Sequence, residues 1–401
     1  MKEIIVLGGG FAGVSACLKL SKMLSKDEAN ITLIDANLYH LFTPSLYEVA
    51  TSEEPKKNIA IDYGEIFGDK IKLVQARVKN IDTENRLVNI TDETHYSYDF
   101  LLLSLGSEPS YFDIPGLKKY SLVLKKLEDA IKIREAIEAS YHEKAHEGKT
   151  INIVVGGGGF SGVELVAELV KYRGHLSRHH KKSKDLIKIS IIQGSECLLK
   201  ELDAKVSDIA KRRLEKDGVN ILLGSHIKSV DEKAIETDSG KRYAYDVFIW
   251  TGGVKASSVL EESGFKTNGR GQVSVNENML VAGYDNIFAA GDVAEFADYI
   301  TNKPAPGVAE VAEDEGKIAA ENIYKSIKEE KLASYKFTHL GYVVPIKGKF
   351  AVADFYKFRL IGLSGWILQQ FVFLYYLLRI LPLFKAIKRW NKFEMYLMHS
   401  Q

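Results

Sequence analysis

Cysteine is nearly absent. The chain has only two, Cys17 and Cys197, far apart and without C-x-x-C spacing, which argues against a thiolate zinc site or a conventional redox disulfide and fits a reducing cytoplasm. A dominant charge is missing too: 54 basic and 53 acidic residues leave a formal +1. No broad basic face is available for nucleic acid, and any attraction to a membrane must be local. The opening residues MKEIIVLGGGFAG hold neither a basic leader nor a small-residue cleavage site, so the first apolar run is expected to be the first strand. Metal-ligand spacing is also lacking; His179-His180 have no Cys or carboxylate partners at such spacing and are expected to be solvated. At 401 residues the chain has room for two or three domains and a large core without staples.

Glycine, by contrast, recurs in two matching places. Ile4 to Leu7 is a β-branched run, followed by Gly8-Gly9-Gly10-Phe11-Ala12-Gly13, a helical pattern to Leu24, and a strand Ile31 to Ile34 ending at Asp35. About 150 residues later the layout returns: Ile151 to Val155, Gly157-Gly158-Gly159-Phe160-Ser161-Gly162, a helical pattern from Val163 to Tyr172, and the strand Ile187 to Ile192 before Gln193. One G-x-G-x-x-G is a weak signal. Two of them, each between a strand and a helix, are the pattern of two dinucleotide-binding βαβ units. The first glycine makes the turn, the second admits a pyrophosphate to the backbone, and the third lets helix pack on strand; the alternative at each is a tight turn without a ligand. Asp35 can accept hydrogen bonds from ribose hydroxyls. Gln193 has no charge to repel a 2′-phosphate, so NADH is favoured only modestly and NADPH stays open. Gly291-Asp292, after the apolar run Ile287 to Ala290, can put a carboxylate on the ribityl chain of a flavin, although G-D is also a common turn.

Further strand-like runs are Ile71 to Val78, Arg86 to Ile90, Phe100 to Leu105, Ile221 to Leu223, Val247 to Trp250 and Asn286 to Ala290. They predict an α/β fold of two Rossmann-like dinucleotide-binding domains, the second inserted in the first, with a C-terminal membrane-associating helical region. The boundaries expected are 1–115 and 256–330 for the first domain, 116–255 for the second and 331–401 for the C-terminal region. Lys171 to Lys184 (KYRGHLSRHHKKSK) is expected to be a solvated basic loop, with contact to anionic lipid as a further use. Trp366 to Phe384 is almost wholly apolar or aromatic, but Gln369, Gln370, Arg379 and Pro382 interrupt it and Lys385, Lys388, Arg389 and Lys392 follow. Those interruptions count against a spanning helix and point to an interfacial helix with a basic tail; a core or homodimer helix is the alternative.

Several segments resemble the two-dinucleotide flavoproteins, and among them the type II NADH dehydrogenases, the non-proton-pumping NADH:quinone oxidoreductases. They are YHLFTPSLYEVA from Tyr39, YDFLLLSLG from Tyr98, YDVFIWTGGVKA from Tyr245, NIFAAGDVAEF from Asn286, and YVVPIKGKFAVADF with the apolar stretch after it. The glycine and G-D motifs are shared by many flavoprotein reductases; the first and last segments are the more specific. The resemblance implies that Gly8, Gly10, Phe11, Ala12, Gly13, Asp35, Thr43, Val78, Gly106, Gly291 and Asp292 lie on FAD. Gly157, Gly159, Phe160, Ser161, Gly162, Gln193 and Gly252 would border NADH or NADPH. Glu164 would lie close to the nicotinamide and flavin rings, or else be an ordinary first-turn helix acid.

Two departures from the family pattern stand out. Where the family has A-Q-x-A-x-Q-x-G, this chain has Ala309-Glu310-Val311-Ala312-Glu313-Asp314-Glu315-Gly316. Glu310 and Asp314 replace both glutamines, four apart on one helix face; they are candidate catalytic acids near a quinone, or a solvated helix start. Ser104-Leu105 replaces Ala-Thr. The resemblance further implies ping-pong electron transfer from NAD(P)H through the flavin to a membrane quinone, on the cytoplasmic face of the cell membrane. A sulfide:quinone oxidoreductase would need paired reactive cysteines, which this chain lacks. A soluble reductase of a ferredoxin or rubredoxin, and a non-catalytic NAD(P)H sensor, are the remaining alternatives.

Overall fold

The computed structural model describes residues 1–51, 59–180, 183–297, 304–336, 341–355 and 358–399, with side chains to residue 393. Its first half is built from β1 (Lys2–Leu7), α1 (Phe11–Met23), β2 (Ala29–Asp35), β3 (Lys72–Gln75), β4 (Phe100–Leu103), β5 (Leu122–Val123), α2 (Leu127–Ala145), β6 (Ile151–Gly156) and α3 (Phe160–His179). The remainder adds β7 (Ile187–Ile192), β8 (Asn220–Leu222), β9 (Val247–Trp250), β10 (Ile287–Ala289), α4 (Ala309–Ile327), β11 (Gly341–Pro345), β12 (Ala351–Phe355), β13 (Phe358–Gly362), α5 (Leu363–Ile380) and α6 (Leu383–His399).

Two five-stranded sheets carry the architecture, in the orders β10-β4-β1-β2-β3 and β5-β9-β6-β7-β8. Every pairing in both is parallel. Ile4 to Leu7 in β1 and Val247 to Trp250 in β9 are buried throughout, as expected for parallel strands covered on both faces. Although β10 comes late in the chain, it pairs with β4 in the first sheet, whereas all strands of the second sheet lie between Leu122 and Trp250. The two chain crossings between the sheets, Ser107–Pro109 and Val254–Ala256, pair with each other antiparallel. An antiparallel sheet of β11, β12 and β13 leads into α5 and α6.

Three expectations need correction. The run Ile71 to Val78 is not one strand: β3 ends at Gln75, the Ala76 amide is bound by the Asp35 carbonyl, and Val78–Asp82 opens a separate antiparallel meander. The basic stretch is helical up to His179, because Leu165, Leu169, Tyr172 and Leu176 continue one buried stripe of α3 at helical spacing. Residues 181–182 of that stretch lie outside the described residues. Finally, the apolar C-terminal run is two helices. Leu381 is extended, as the residue before a proline prefers to be, and Leu383 restarts the chain as α6.

Candidate active site

The carboxyl ends of β1, β2, β4 and β10 converge on the first glycine turn. Gly8 has φ +93°, and a Cβ on it would lie 2.3 Å from the Ser104 carbonyl oxygen; one on Gly13 would lie 1.9 Å from the Gly8 carbonyl oxygen. These two glycines are therefore fixed by the protein's own packing. Gly10, as helix N-cap, is different: a Cβ there meets nothing within 4 Å, and no side chain caps α1. An open helix N-terminus beside an open glycine is a cradle for a pyrophosphate. Asp35 closes the turn by accepting from the Gly9 amide at 2.6 Å and the Asn37 amide at 2.7 Å. Burial lifts its carboxyl above the usual range. The Ser104 hydroxyl donates to the Leu7 and Gly8 carbonyls, each at 2.9 Å, so the departure at Ser104 adds a strut behind the turn.

The second turn repeats this plan. Gly157 has φ +104° and packs on Gly252, where a Cβ would come within 2.6 Å of its Cα. A Cβ on Gly162 would lie 1.9 Å from the Gly157 carbonyl oxygen, and one on Gly159 meets nothing within 4 Å. Gln193 occupies the place of Asp35: its Oε1 accepts from the Gly158 amide at 2.8 Å, while its Nε2 donates to Ser195 Oγ at 2.5 Å. The Thr251 hydroxyl donates to the Gly156 and Gly157 carbonyls at 3.0 and 3.2 Å, where Ser104 serves the first turn.

The other expected site residues are less uniform in placement. Gly291 sits at the end of β10 with φ +76°; a Cβ there would be 3.5 Å from the Cβ atoms of Ala12 and Ala312. Asp292 shares its carboxylate with the Ser107 hydroxyl and with Lys125, 3.5 Å away. Gly106 has φ +70° and open space before it. Phe11 meets the His40 ring edge-on at 4.9 Å, and Phe160 lies 5.3 Å from the Tyr342 ring of β11. Ser161 is exposed. Thr43 is exposed at the head of the single turn Thr43–Ser45, and Val78 begins the meander; neither joins the turn's hydrogen-bond network among the described residues. Glu164 is half-buried in the first turn of α3, and desolvation pushes its carboxyl up to about 8. Glu310 is half-buried, while Asp314 binds Lys317 at 2.7 Å and approaches Arg379 at 3.8 Å.

Sequence reasoning missed the residues that tie α5 to the first turn. The Gly9 carbonyl is met by Tyr63 Oη at 2.9 Å and His40 Nδ1 at 3.0 Å, and His40 Nε2 lies 2.7 Å from the Tyr376 hydroxyl of α5. Burial lowers the His40 pKa to about 4, which leaves the ring neutral. Gln369 donates to the Tyr47 hydroxyl at 3.2 Å, and Arg379 binds Glu313 at 3.1 Å. Gln369 and Arg379, counted from the sequence as costs in hydrocarbon, thus point inward. Their helix leaves Ile367, Phe371, Tyr375 and Leu378 on its outer side, with Phe371 52% and Tyr375 62% exposed. Glu313 and Glu315, passed over in favour of Glu310 and Asp314, are the buried acids of α4. Glu315 accepts from the Gly291 amide at 2.7 Å, and burial raises its carboxyl to about 8. A helical-wheel reading of α4 around Val311, Glu315 and Ile318 would have flagged it.

Two glycine cradles on two parallel sheets, with a G-D segment beside the first, define a nucleotide-dependent oxidoreductase of the two-domain flavoprotein type. The chain belongs to the pyridine nucleotide-disulphide oxidoreductase family, whose model matches residues 2–316. It is similar to the type II NADH:quinone oxidoreductases of Staphylococcus saprophyticus and Staphylococcus aureus, each 29% identical over 85% of this chain and 87% of the relative. Among solved structures it resembles NDH2 from Plasmodium falciparum in complex with NADH, with a TM-score of 0.85, 20% identity and 98% of both chains covered. The sulfide:quinone oxidoreductase of Aquifex aeolicus has the same fold at a TM-score of 0.76 and 15% identity, over 100% of this chain and 92% of that one. The family's disulphide chemistry has no counterpart in Cys17, which is buried in α1, or Cys197, both of them free thiols.

Proposed function

We propose that this protein is an FAD-dependent NADH:quinone oxidoreductase working at a membrane surface. The observation that carries the reading is the matched pair of cradles: at Gly10 and at Gly159 the missing Cβ faces open space beside an uncapped helix N-terminus. The residues fit two dinucleotides. Gly8, Gly10, Phe11, Ala12, Gly13, Asp35, Thr43, Val78, Gly106, Gly291 and Asp292 would hold FAD; Gly157, Gly159, Phe160, Ser161, Gly162, Gln193 and Gly252 would hold NADH. Neutral Gln193 leaves the site open to NADPH. When bound, the flavin supplies two-electron chemistry between a nicotinamide and a quinone. The protein's part is alignment and exclusion of water: the struts from Ser104 and Thr251 fix the turns, Asp35 and Gln193 fix their middle amides, and Glu164 presents a carboxyl that is largely protonated at neutral pH.

The domain division that suits these roles is 1–115 with 256–330 for FAD, 116–255 for NADH, and 331–401 for the membrane. The outer stripe of α5, with Leu383 and Phe384 at the start of α6, would enter the headgroup boundary, and Lys385, Lys388 and Lys392 would meet anionic lipid. The cytoplasmic face is the side on which NADH is available. The same stripe would serve a homodimer if the protein does not bind lipid.

Anaerobic NADH should bleach the yellow protein, and a short-chain quinone should restore the colour. Absence of bleaching overturns the enzyme reading; bleaching that only a small redox protein reverses moves the acceptor. For the membrane, Phe371→Asp with Tyr375→Asp should abolish co-sedimentation with vesicles containing anionic lipid, and a wild-type protein that stays in the supernatant contradicts the docking.

A further inference from the structure

Reduction of a quinone by NADH obeys NADH + H⁺ + Q → NAD⁺ + QH₂, so one proton beyond the hydride must reach the quinone from the protein or solvent. The proposed acceptor gives α4 and α5 a task, since a lipid-soluble quinone arriving along the outer stripe of α5 meets the seam between these helices before the Gly291–Asp292 segment. That seam is polar where the surrounding packing is apolar. Glu313, only 5% exposed, points from α4 toward α5, where its Oε2 lies 3.1 Å from Arg379 Nη1. The Arg379 guanidinium in turn lies 5.4 Å from the ring centroid of Tyr375, a residue on the exposed stripe.

We infer that Glu313, held by Arg379, is the carboxylic acid from which a quinone at this seam takes its proton, the O–H of Glu313 breaking as the quinol O–H forms. The inference rests on the quinone reading above. Asp314, whose side chain is 44% exposed, then returns a proton from solvent to Glu313. A carboxylate already neutralised by a full ion pair would be a poor donor, but here burial outweighs the arginine. Desolvation raises the Glu313 carboxyl to about 7, with Arg379 opposing and Asp314 and Glu310 adding to the rise. The charged and titratable groups facing it are Arg379 and Tyr376 from α5 and Lys317, Asp314 and Glu310 from α4; Lys317 is 4.0 Å away. Position 313 is neither of the two glutamine positions of the family pattern, so the donor belongs to this chain's own sequence.

The test separates the half-reactions in stopped flow on the full-length flavoprotein. In the wild type, recolouring by a short-chain quinone should slow as pH rises through about 7, because the donor loses its proton. Glu313→Gln should recolour about 100-fold more slowly, as expected for loss of a general acid, and should lose that pH limb, while NADH bleaching changes less than about two-fold. Glu313→Asp should recover the limb. In infrared titration of the oxidised protein, a carboxyl C=O band that titrates near neutrality should be missing from Glu313→Gln. Recolouring by Glu313→Gln at the wild-type rate and pH profile overturns the inference, as does an infrared band unchanged by the substitution. Loss of bound flavin in both variants would make Glu313 structural and overturn it equally. A wild type that bleaches but never recolours with quinone would instead sink the quinone reading itself.

Discussion

The two glycine turns share one plan down to the hydroxyl behind them, and differ in what closes over the middle glycine. At the first turn the Gly9 carbonyl is gripped by Tyr63 and His40, and His40 is backed by Tyr376 from the far end of the chain. At the second, the Gly158 carbonyl accepts only the backbone amide of Leu199, at 2.8 Å, among the described residues. The acid of the first turn, Asp35, is replaced by a neutral amide in the second, Gln193. Side chains from three separate segments therefore immobilise one turn, whereas local backbone shapes the other. A pre-organised site costs less to occupy, so the first suits a cofactor that stays and the second a substrate that comes and goes.

The largest expected effects come from the packing glycines. Gly13→Ala and Gly162→Ala each drive a Cβ to 1.9 Å from a carbonyl oxygen, which overpacking of this kind makes destabilising by about 3 kcal/mol. Denaturant melts should show similar losses in both. The comparison predicts that only Gly13→Ala also purifies without flavin. Next in size is nucleotide choice. Gln193→Glu restores an acid at the second turn, which should raise the NADH over NADPH ratio of kcat/KM about tenfold, or about 1.4 kcal/mol; an unchanged ratio would remove Gln193 from specificity.

Each side of the site also has one acid raised to about 8, Glu315 on the first and Glu164 on the second. An acid whose folded pKa is raised keeps a proton that the unfolded chain releases. Its stabilisation is full below the unfolded value and is lost as pH rises through the folded one. Melting temperature should therefore fall between about pH 5 and 8, and Glu315→Gln and Glu164→Gln should each flatten that slope. A slope untouched by both would show that neither carboxyl is held protonated. Smallest is Tyr376→Phe, which removes one buried hydrogen bond to His40 and should cost about 1 kcal/mol, detectable as faster flavin loss on dilution with no change at the second turn.

Much of this contrast was legible in the sequence. The βαβ repeats were readable because their signals are local: β-branched runs, glycines at fixed spacing, an acid or amide at the end of the next strand. The Gln193 position was likewise read correctly as the counterpart of Asp35, and its hydrogen bond to Gly158 shows why. What closes the first turn was not legible, since His40, Tyr63 and Tyr376 meet only through tertiary packing and none stands at a motif position. Counting Gln369 and Arg379 as polar interruptions was sound, but hydropathy along a chain does not say which way a helix faces. The helical continuation through His179 was legible and was overridden by charge: Leu165, Leu169, Tyr172 and Leu176 carry the period, while the basic residues between them suggested a loop.

The assignment of one turn to the flavin and the other to the nicotinamide nucleotide is tested most directly at Gly10 and Gly159. A side chain at either meets no protein atom within 4 Å, so Gly10→Val and Gly159→Val should read out ligand exclusion with little loss of packing. The measurement is flavin content by visible absorbance, followed by anaerobic titration with NADH. Gly159→Val should purify yellow, with wild-type flavin content, and resist bleaching by NADH; Gly10→Val should purify colourless. A colourless Gly159→Val, or a Gly10→Val that keeps its flavin, would contradict the account.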